Sequence, residues 1–385
     1  MSKIRWSGLA VLMAMCMVTA SANAQDVPLS AFGPPPVPDA EFCPPGPGVE
    51  TMFPFTSPPL FLNGFREPCE ECPTPMFYVG IGTIALSRGA FGEEVVAVID
   101  PQTVDTGNLP PANAPVAARY NVVDEEFHFG VKGTIGWQLG ADSIEFSGYY
   151  IPAQVATGDV VMPGRLDLPF ANFPPPLGFE GTNFLWLQAD RVEVRYEDEI
   201  YNLEVNYKTS WLSWLAILGG FRYFDLNETF SIFTDDDGVV VQPPDPLRMA
   251  TVSSRVHHRL AGAQFGFQTR HYMTPPFSVG LTNKNFVAAN FYEVDNFLVR
   301  GDGFQGPSAS RDDIQLSGII ELEAYFQWQI NYHMGLLLSY QTMWLLNVPE
   351  AQNQISFDPG NPGAVQDNNG NIFYHGPRLE FFVGW

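Results

Sequence analysis

Between Ile319 and Leu346 the chain alternates with a period of two. Ile320, Leu322, Ala324, Phe326, Trp328, Ile330 and Tyr332 are apolar or aromatic, whereas Glu321, Glu323, Gln327, Gln329 and Asn331 between them are polar, Tyr325 being the exception. That is the signature of a strand with two unlike faces. After His333 a second run places Met334, Leu336, Leu338, Tyr340, Thr342, Trp344 and Leu346 on one face, with Gly335, Ser339 and Gln341 interrupting the other, which also holds Leu337 and Met343. Crossing a bilayer at ~45° tilt takes ~9–11 residues per strand, and strands of soluble sheets are usually ~5–6 residues long. The two runs match the longer requirement, so the spacing predicts a transmembrane β-hairpin.

The same pattern recurs from about residue 76 onward. Strands are predicted at 76–88, 127–139, 144–151, 192–208, 214–233, 255–272, 277–297 and 372–385, which with the hairpin makes ten. Pro152 is expected to end the third strand, because it has no N–H for a ladder. Parity changes near Glu199 and near Phe224–Leu226 read as β-bulges. Short turns follow the second, fourth, sixth and eighth strands, and long loops follow the others. Outer-membrane barrels have short periplasmic turns, long external loops and an even strand count. The expectation is therefore an all-β, antiparallel, up-and-down transmembrane barrel over 76–385, of about ten strands. Twelve result if Val95–Ile99 or the 180s add a pair.

Composition agrees without deciding. Of 385 residues 45% are hydrophobic, 14% aromatic, and 31 are Phe, yet mean hydropathy is −0.03 because apolar residues alternate with polar ones. Net charge is −23, which argues against a nucleic-acid partner, since that needs a basic patch.

Residues 1–24 read as a signal peptide: Lys3 and Arg5, an apolar core from Leu9 to Ala20, and Ala22-Asn23-Ala24 as cleavage site. Residues 25–75 are a Pro-rich linker, with Pro34-Pro35-Pro36, Pro44-Pro45 and Pro58-Pro59. Cys69 and Cys72 within it are read as a small disulfide loop, in preference to a metal site or free thiols. Cys43 stands apart.

The last strand carries Leu379, Phe381, Val383 and Trp385 on one face, which looks like the assembly signal that barrel-insertion machinery reads. The chain also resembles the β-barrel porin family abundant in planctomycete bacteria. The resemblance is carried by YNLEVN at Tyr201–Asn206, GGFRYFDLNETFSI at Gly219–Ile232, GAQFGF at Gly262–Phe267 and SYQTMWLLNV at Ser339–Val348. It implies an outer-membrane barrel and a porin label, and no catalytic or binding residue.

The polar faces supply the lumen-lining candidates: Lys132, Glu145, Glu204, Arg222, Arg270, Lys284, Glu321, Glu323, Arg378 and Glu380, with Lys208 beside them. They read as a charged pore lining or as ion pairs filling a narrow lumen, and ten strands lie nearer the filled limit than the ~16–18 of open porins. Filling is the favoured reading, with Arg222 or Lys284 as partner of Glu321. The expected function is a porin-like channel for small polar solutes or ions. The alternatives are a non-conducting structural or surface-binding barrel working through its acidic external loops, and a barrel hydrolase. His128, His257, His258 and His375 lie at strand ends near Asp235–Asp237, but no nucleophile motif accompanies them, so solvated rim histidines are expected and no enzyme. No cofactor or metal is expected; outer-membrane lipid is the expected surrounding.

Overall fold

The computed structural model describes residues 77–385, apart from 90, 100–113, 124–125, 140, 169–186, 213, 237–244, 275, 332 and 356–368. Residues 1–24 and 25–75, expected as signal peptide and linker, lie outside the described residues, as do Cys43, Cys69 and Cys72.

Twelve strands are present among the described residues: β1 Phe77–Arg88, β2 Val95–Ile99, β3 Val116–Arg119, β4 Phe127–Leu139, β5 Asp142–Asp167, β6 Ala189–Leu212, β7 Leu215–Asp235, β8 Met249–Thr274, β9 Phe277–Arg300, β10 Gln305–Gln329, β11 Met334–Pro349 and β12 Asn369–Gly384. Ten of them form a ring of antiparallel neighbours, in chain order from β4 to β12, with β1 between β12 and β4. The β5–β6 pairing and the β1–β12 pairing close it. A closed ring leaves no sheet edge, which is what lipid requires of a spanning sheet. The β2–β3 hairpin stands outside the ring and pairs only with the far end of β5, at Leu166 and Asp167. Val95–Ile99 thus forms a strand without enlarging the barrel.

The strands are of two lengths. β1, β4, β11 and β12 have 12–16 residues, near the length of a bilayer crossing. β5 to β10 have 21–26, so about half of each continues past the membrane as a wall on one side.

That wall corrects several expectations. Pro152 does not end β5. The β4 ladder has finished at Tyr150, and the β6 ladder skips from Ile151 to Gln154, so the missing N–H falls where no partner needs it. The connection between β9 and β10 is only four residues, Gly301–Phe304, because the polar stretch expected as a loop continues the ladder.

Nor do β6 and β7 themselves bulge near Glu199 or Phe224: they stay in unbroken register from Arg191↔Asp235 to Ser210↔Ala216, and the irregularity opposite Glu199 is the extra residue on β5. What changes is the surroundings. On β6 the even positions point inward throughout, from Val192 to Asn206. In the membrane they are polar (Asn202, Glu204, Asn206) and the odd, outward positions are apolar (Tyr201, Leu203, Val205, Tyr207). Beyond it, past Asp198 and Tyr196, the inward set is apolar (Val192, Val194), and the outward set is charged (Glu193, Arg195, Glu197, Glu199). The barrel is inside-out where it meets lipid and of ordinary soluble polarity above.

The inversion locates the bilayer. Tyr201 and Tyr223 meet edge to face at 6.4 Å on the outer surface. The Tyr223 hydroxyl donates to Asp225 at 2.7 Å, and the Tyr150 hydroxyl to Glu199 at 2.7 Å. Rings in the apolar belt and hydroxyls on carboxylates above it mark one interface. At the opposite end Trp137, Trp211, Trp214, Trp328 and Trp385 form the other girdle, 40–70% exposed. Trp385 packs on Phe77 at 4.9 Å, and Leu379, Phe381 and Val383 continue its outward face.

Candidate functional site

The inner wall of the barrel is the candidate site, and its layering can be read along one strand. On β7 the inward residues are Arg222, then Phe224 and Leu226, then Glu228, then Phe230 and Ile232. Neighbouring β6 repeats the order with Glu204, Ile200, Asp198 and Val194. The interior is thus a charged layer, an apolar layer, a second polar cluster and an apolar cap.

At the short-turn end the lining begins with an aromatic cluster of Tyr78, Tyr325, Leu337 and Phe382. Tyr78 fits because Gly136 faces it: a Cβ there would lie 2.1 Å from the ring. Small residues opposite large ones let a narrow barrel fill.

The charged layer follows. Glu204 accepts from Lys284 Nζ at 2.8 Å, Asn202 at 3.0 Å, Asn206 at 3.1 Å and Gln264 at 3.1 Å. Arg222 donates Nη1 to Glu321 at 2.8 Å and Nε to Asn202 at 2.6 Å, and Lys284 also lies 3.4 Å from Glu321. Both bases expected beside Glu321 are there. Arg222 is 0%, Glu321 4% and Glu204 5% exposed, so the charges meet each other and not water. A carboxylate so buried persists only when its lone pairs are satisfied.

The other candidates form smaller groups. Arg378 reaches Glu323 at 2.9 Å and Glu380 at 3.5 Å, and Thr134 donates to Glu380. Glu145 accepts from Lys208 Nζ at 2.9 Å and the Tyr78 hydroxyl at 2.8 Å. Lys132 is buried on β4, with no carboxylate within ion-pair distance among the described residues. Arg270 lies inward on β8 at the short-turn mouth, where no carboxylate is within ion-pair distance of it among the described residues. All ten candidates therefore face the interior, but in three groups with Lys132 and Arg270 beside them.

Above the charges lies an apolar layer that includes Ile84, Leu86, Ile200, Phe224, Leu260 and Phe286. The second polar cluster was not foreseen. Arg88 donates to Glu228 at 2.6 Å, Gln352 at 3.0 Å and Glu350 at 3.3 Å, and its guanidinium lies 4.7 Å from the rings of both Phe91 and Tyr196. Tyr196 donates to Glu228 at 2.7 Å, Tyr374 to Asp198 at 3.0 Å, and His128 pairs with Asp198. The sequence signal for these residues was present: they keep the parity of the lumen set below them.

The cap is apolar. Phe91, Val96, Ala97, Ala118, Tyr120 and Val123, from β2, β3 and their flanks, pack with Ala351 and Ile355 against the inner face of the tall wall. The segment 350–355 is turned over the lumen by a bulge between Leu346 and Val348. There Asn347 takes φ 57°, and its carbonyl accepts from Ser317 at 2.7 Å and Gln315 at 2.8 Å.

The four histidines do not converge. His128 and His258 are buried, contrary to the solvated rim expected, because the wall and cap close over them. His258 donates Nε2 to the Pro349 carbonyl at 2.9 Å and accepts from Asn290 at 3.2 Å. His257 and His375 face outward, on Asp225 at 2.9 Å and the Tyr340 hydroxyl at 2.6 Å. Asp236 pairs with Arg248 at 2.9 Å, and Asp237 lies outside the described residues. Among the described residues no three His, Cys, Asp or Glu side chains are grouped as metal ligands would be.

No protein-family model matches the chain, and no curated protein does. Solved structures of outer-membrane barrels are similar to it. The outer membrane protease OmpT of Escherichia coli is 10% identical with a TM-score of 0.38, over 80% of this chain and 96% of that one. The translocator domain of autotransporter NalP of Neisseria meningitidis is 12% identical with a TM-score of 0.32, over 82% and 90%. The toluene transporter TbuX of Ralstonia pickettii is 8% identical with a TM-score of 0.31, over 81% and 90%.

Proposed function

We propose that this chain is an outer-membrane barrel closed by its own side chains, which works through the structure it raises above the membrane and not as an open diffusion pore. The observation that carries the reading is the buried Glu204–Arg222–Lys284–Glu321 network. Solute passing there would have to separate charges that have no water to turn to, and then open two apolar layers and the Arg88–Glu228 cluster. A water-filled pore instead keeps its charged lining hydrated.

In this reading the short-turn end faces the periplasm and the tall wall with its cap faces outward. The porin label that the family resemblance implies does not, in this reading, extend to steady conduction. The outer surface of the wall, with Glu193, Arg195, Glu197 and Glu199 on β6 and Arg255, Arg259, Glu293 and Asp295 on β8 and β9, is soluble in character and suits contact with water-borne partners. The burial of His128 and His258, and the separation of His257 and His375 from them, supports a non-enzymatic role.

Release of a small solute from vesicles containing the refolded full chain tests this. Retention comparable to protein-free vesicles is expected. Release that rises with protein content and falls with solute size would make the chain a porin-like channel.

A further inference from the structure

Among the described residues, the membrane-level inner wall contains one more base than acid. The carboxylates are Glu145, Glu204, Glu321, Glu323 and Glu380. Among the bases, Lys208, Arg222, Lys284 and Arg378 stand 2.8–2.9 Å from a carboxylate oxygen, whereas Lys132 and Arg270 have no carboxylate within ion-pair distance among the described residues. Of these two, Arg270 is the one that lines a cavity. Its polar neighbours are the hydroxyl oxygens of Tyr272 and Tyr325, neutral acceptors that supply no counter-charge. Nε and Nη1 of Arg270 are buried with no acceptor.

The cavity, of about 60 Å³, lies at the short-turn mouth, and its wall also includes Gln138, Ser143, Lys208, Ser210, Trp214 and the carboxylate of Glu145, which is engaged by Lys208 and the Tyr78 hydroxyl. These belong to the β4–β5 and β6–β7 turns and their flanking strands, so the cavity lies at the end facing the periplasm in the orientation above. A half-buried guanidinium with two buried, unpartnered nitrogens and no counter-ion is costly. One placed on the wall of a polar cavity, with hydroxyl and amide donors around it, is arranged to receive its counter-ion from outside.

We propose that this cavity binds a small oxyanion, a carboxylate or a phosphate, through Arg270. The planar guanidinium suits either, since both offer two oxygens to its parallel N–H groups. Lys208 adds positive potential while remaining tied to Glu145, and Ser143, Ser210 and Gln138 supply further polar contacts. The site is independent of whether the lumen conducts, because it lies on the turn side of the charged layer.

The test uses the refolded full chain in detergent, with sodium acetate and sodium phosphate titrated separately against sodium chloride at matched ionic strength. The readout is the urea midpoint. A saturable rise above the chloride control is expected with at least one of the two, and the comparison tells which oxyanion the site prefers. Arg270→Gln should fold, should unfold no earlier than the parent without anion, and should lose ~10-fold or more in apparent affinity, as loss of a charged hydrogen bond implies. Arg270→Lys, which keeps the charge and loses the fork, should bind between the two. No response beyond chloride, an undiminished response in Arg270→Gln, or a failure of that variant to fold would each overturn the proposal.

Discussion

Arg222 and Glu321 meet at 2.8 Å across the barrel, although their strands, β7 and β10, are separated by β8 and β9 in the ring. The contact therefore crosses the lumen instead of following the wall. With Lys284 and Glu204 it ties four strands into one buried layer.

Removing one partner should leave the others charged and buried. Glu321→Gln is expected to destabilise the barrel by ~3–5 kcal/mol, the usual cost of breaking a buried pair. Adding Arg222→Met should recover part of the loss, because the stranded guanidinium is then gone. Urea midpoints of the two variants and the parent check this; an unchanged midpoint in Glu321→Gln would place that carboxylate in water.

The inversion along β6 makes two outward positions on one face respond differently. Leu203→Arg puts a charge in the lipid belt two residues from the Tyr201 interface, at a cost of ~1–2 kcal/mol, less than the ~2–4 kcal/mol of the midplane. Glu197→Lys, six residues away above the belt, should change stability by no more than ~0.5 kcal/mol, as exposed substitutions do. Folding equilibria in lipid vesicles separate the two. Equal effects would mean that the bilayer boundary does not lie at Tyr201.

The cap can be loosened separately. Phe230 is fully buried and meets Tyr120 edge to face at 4.8 Å. Phe230→Ala should cost ~3–5 kcal/mol, as large-to-small changes in a packed core do, and should expose 91–99 and 116–123 to protease. The membrane part should keep its heat-modifiable migration. Loss of both together would show that cap and barrel unfold as one.

The segment that crosses the lumen should respond to pH. Burial raises the Glu350 carboxyl above its usual range, by more than Arg88 beside it lowers it. A raised carboxyl pKa means that the folded form holds the proton more tightly than the unfolded one. This residue's contribution is therefore most favourable at low pH and declines as pH rises from about the ordinary carboxylate value of 4.5 through the raised one. Exchange of the Asn353 amide, which donates to the Glu350 carbonyl at 2.9 Å, should show greater protection, corrected for intrinsic rate, at the acidic end. Glu350→Gln should flatten the dependence.

Much of the barrel was legible because a strand's period of two states its facing directly. The alternation around Glu321 and Glu323 assigned both to the interior without any tertiary information, and the same held for Arg222 and Lys284. Pairing across the lumen was less legible, since it depends on the stagger of the whole ring. The wall above the membrane was misread for a definite reason. Val192 and Val194 share the parity of Asn202 and Glu204, and a face that turns from polar to apolar resembles an inserted residue if one environment is assumed throughout. Counting positions from Glu204 back to Val192 shows no insertion, and would have kept Asp198 and Glu228 inside. Pro152 misled similarly: its missing N–H matters only where a ladder needs it.

The closed lumen is tested most directly by the current across a planar bilayer containing the refolded full chain, measured beside the Glu321→Gln variant. A barrel sealed by the Arg222–Glu321 layer should give no discrete conductance steps in the parent at moderate voltage. Reproducible, ion-selective steps in the parent, with a selectivity changed by Glu321→Gln and an unchanged urea midpoint, would contradict the account and make the lumen a hydrated pore.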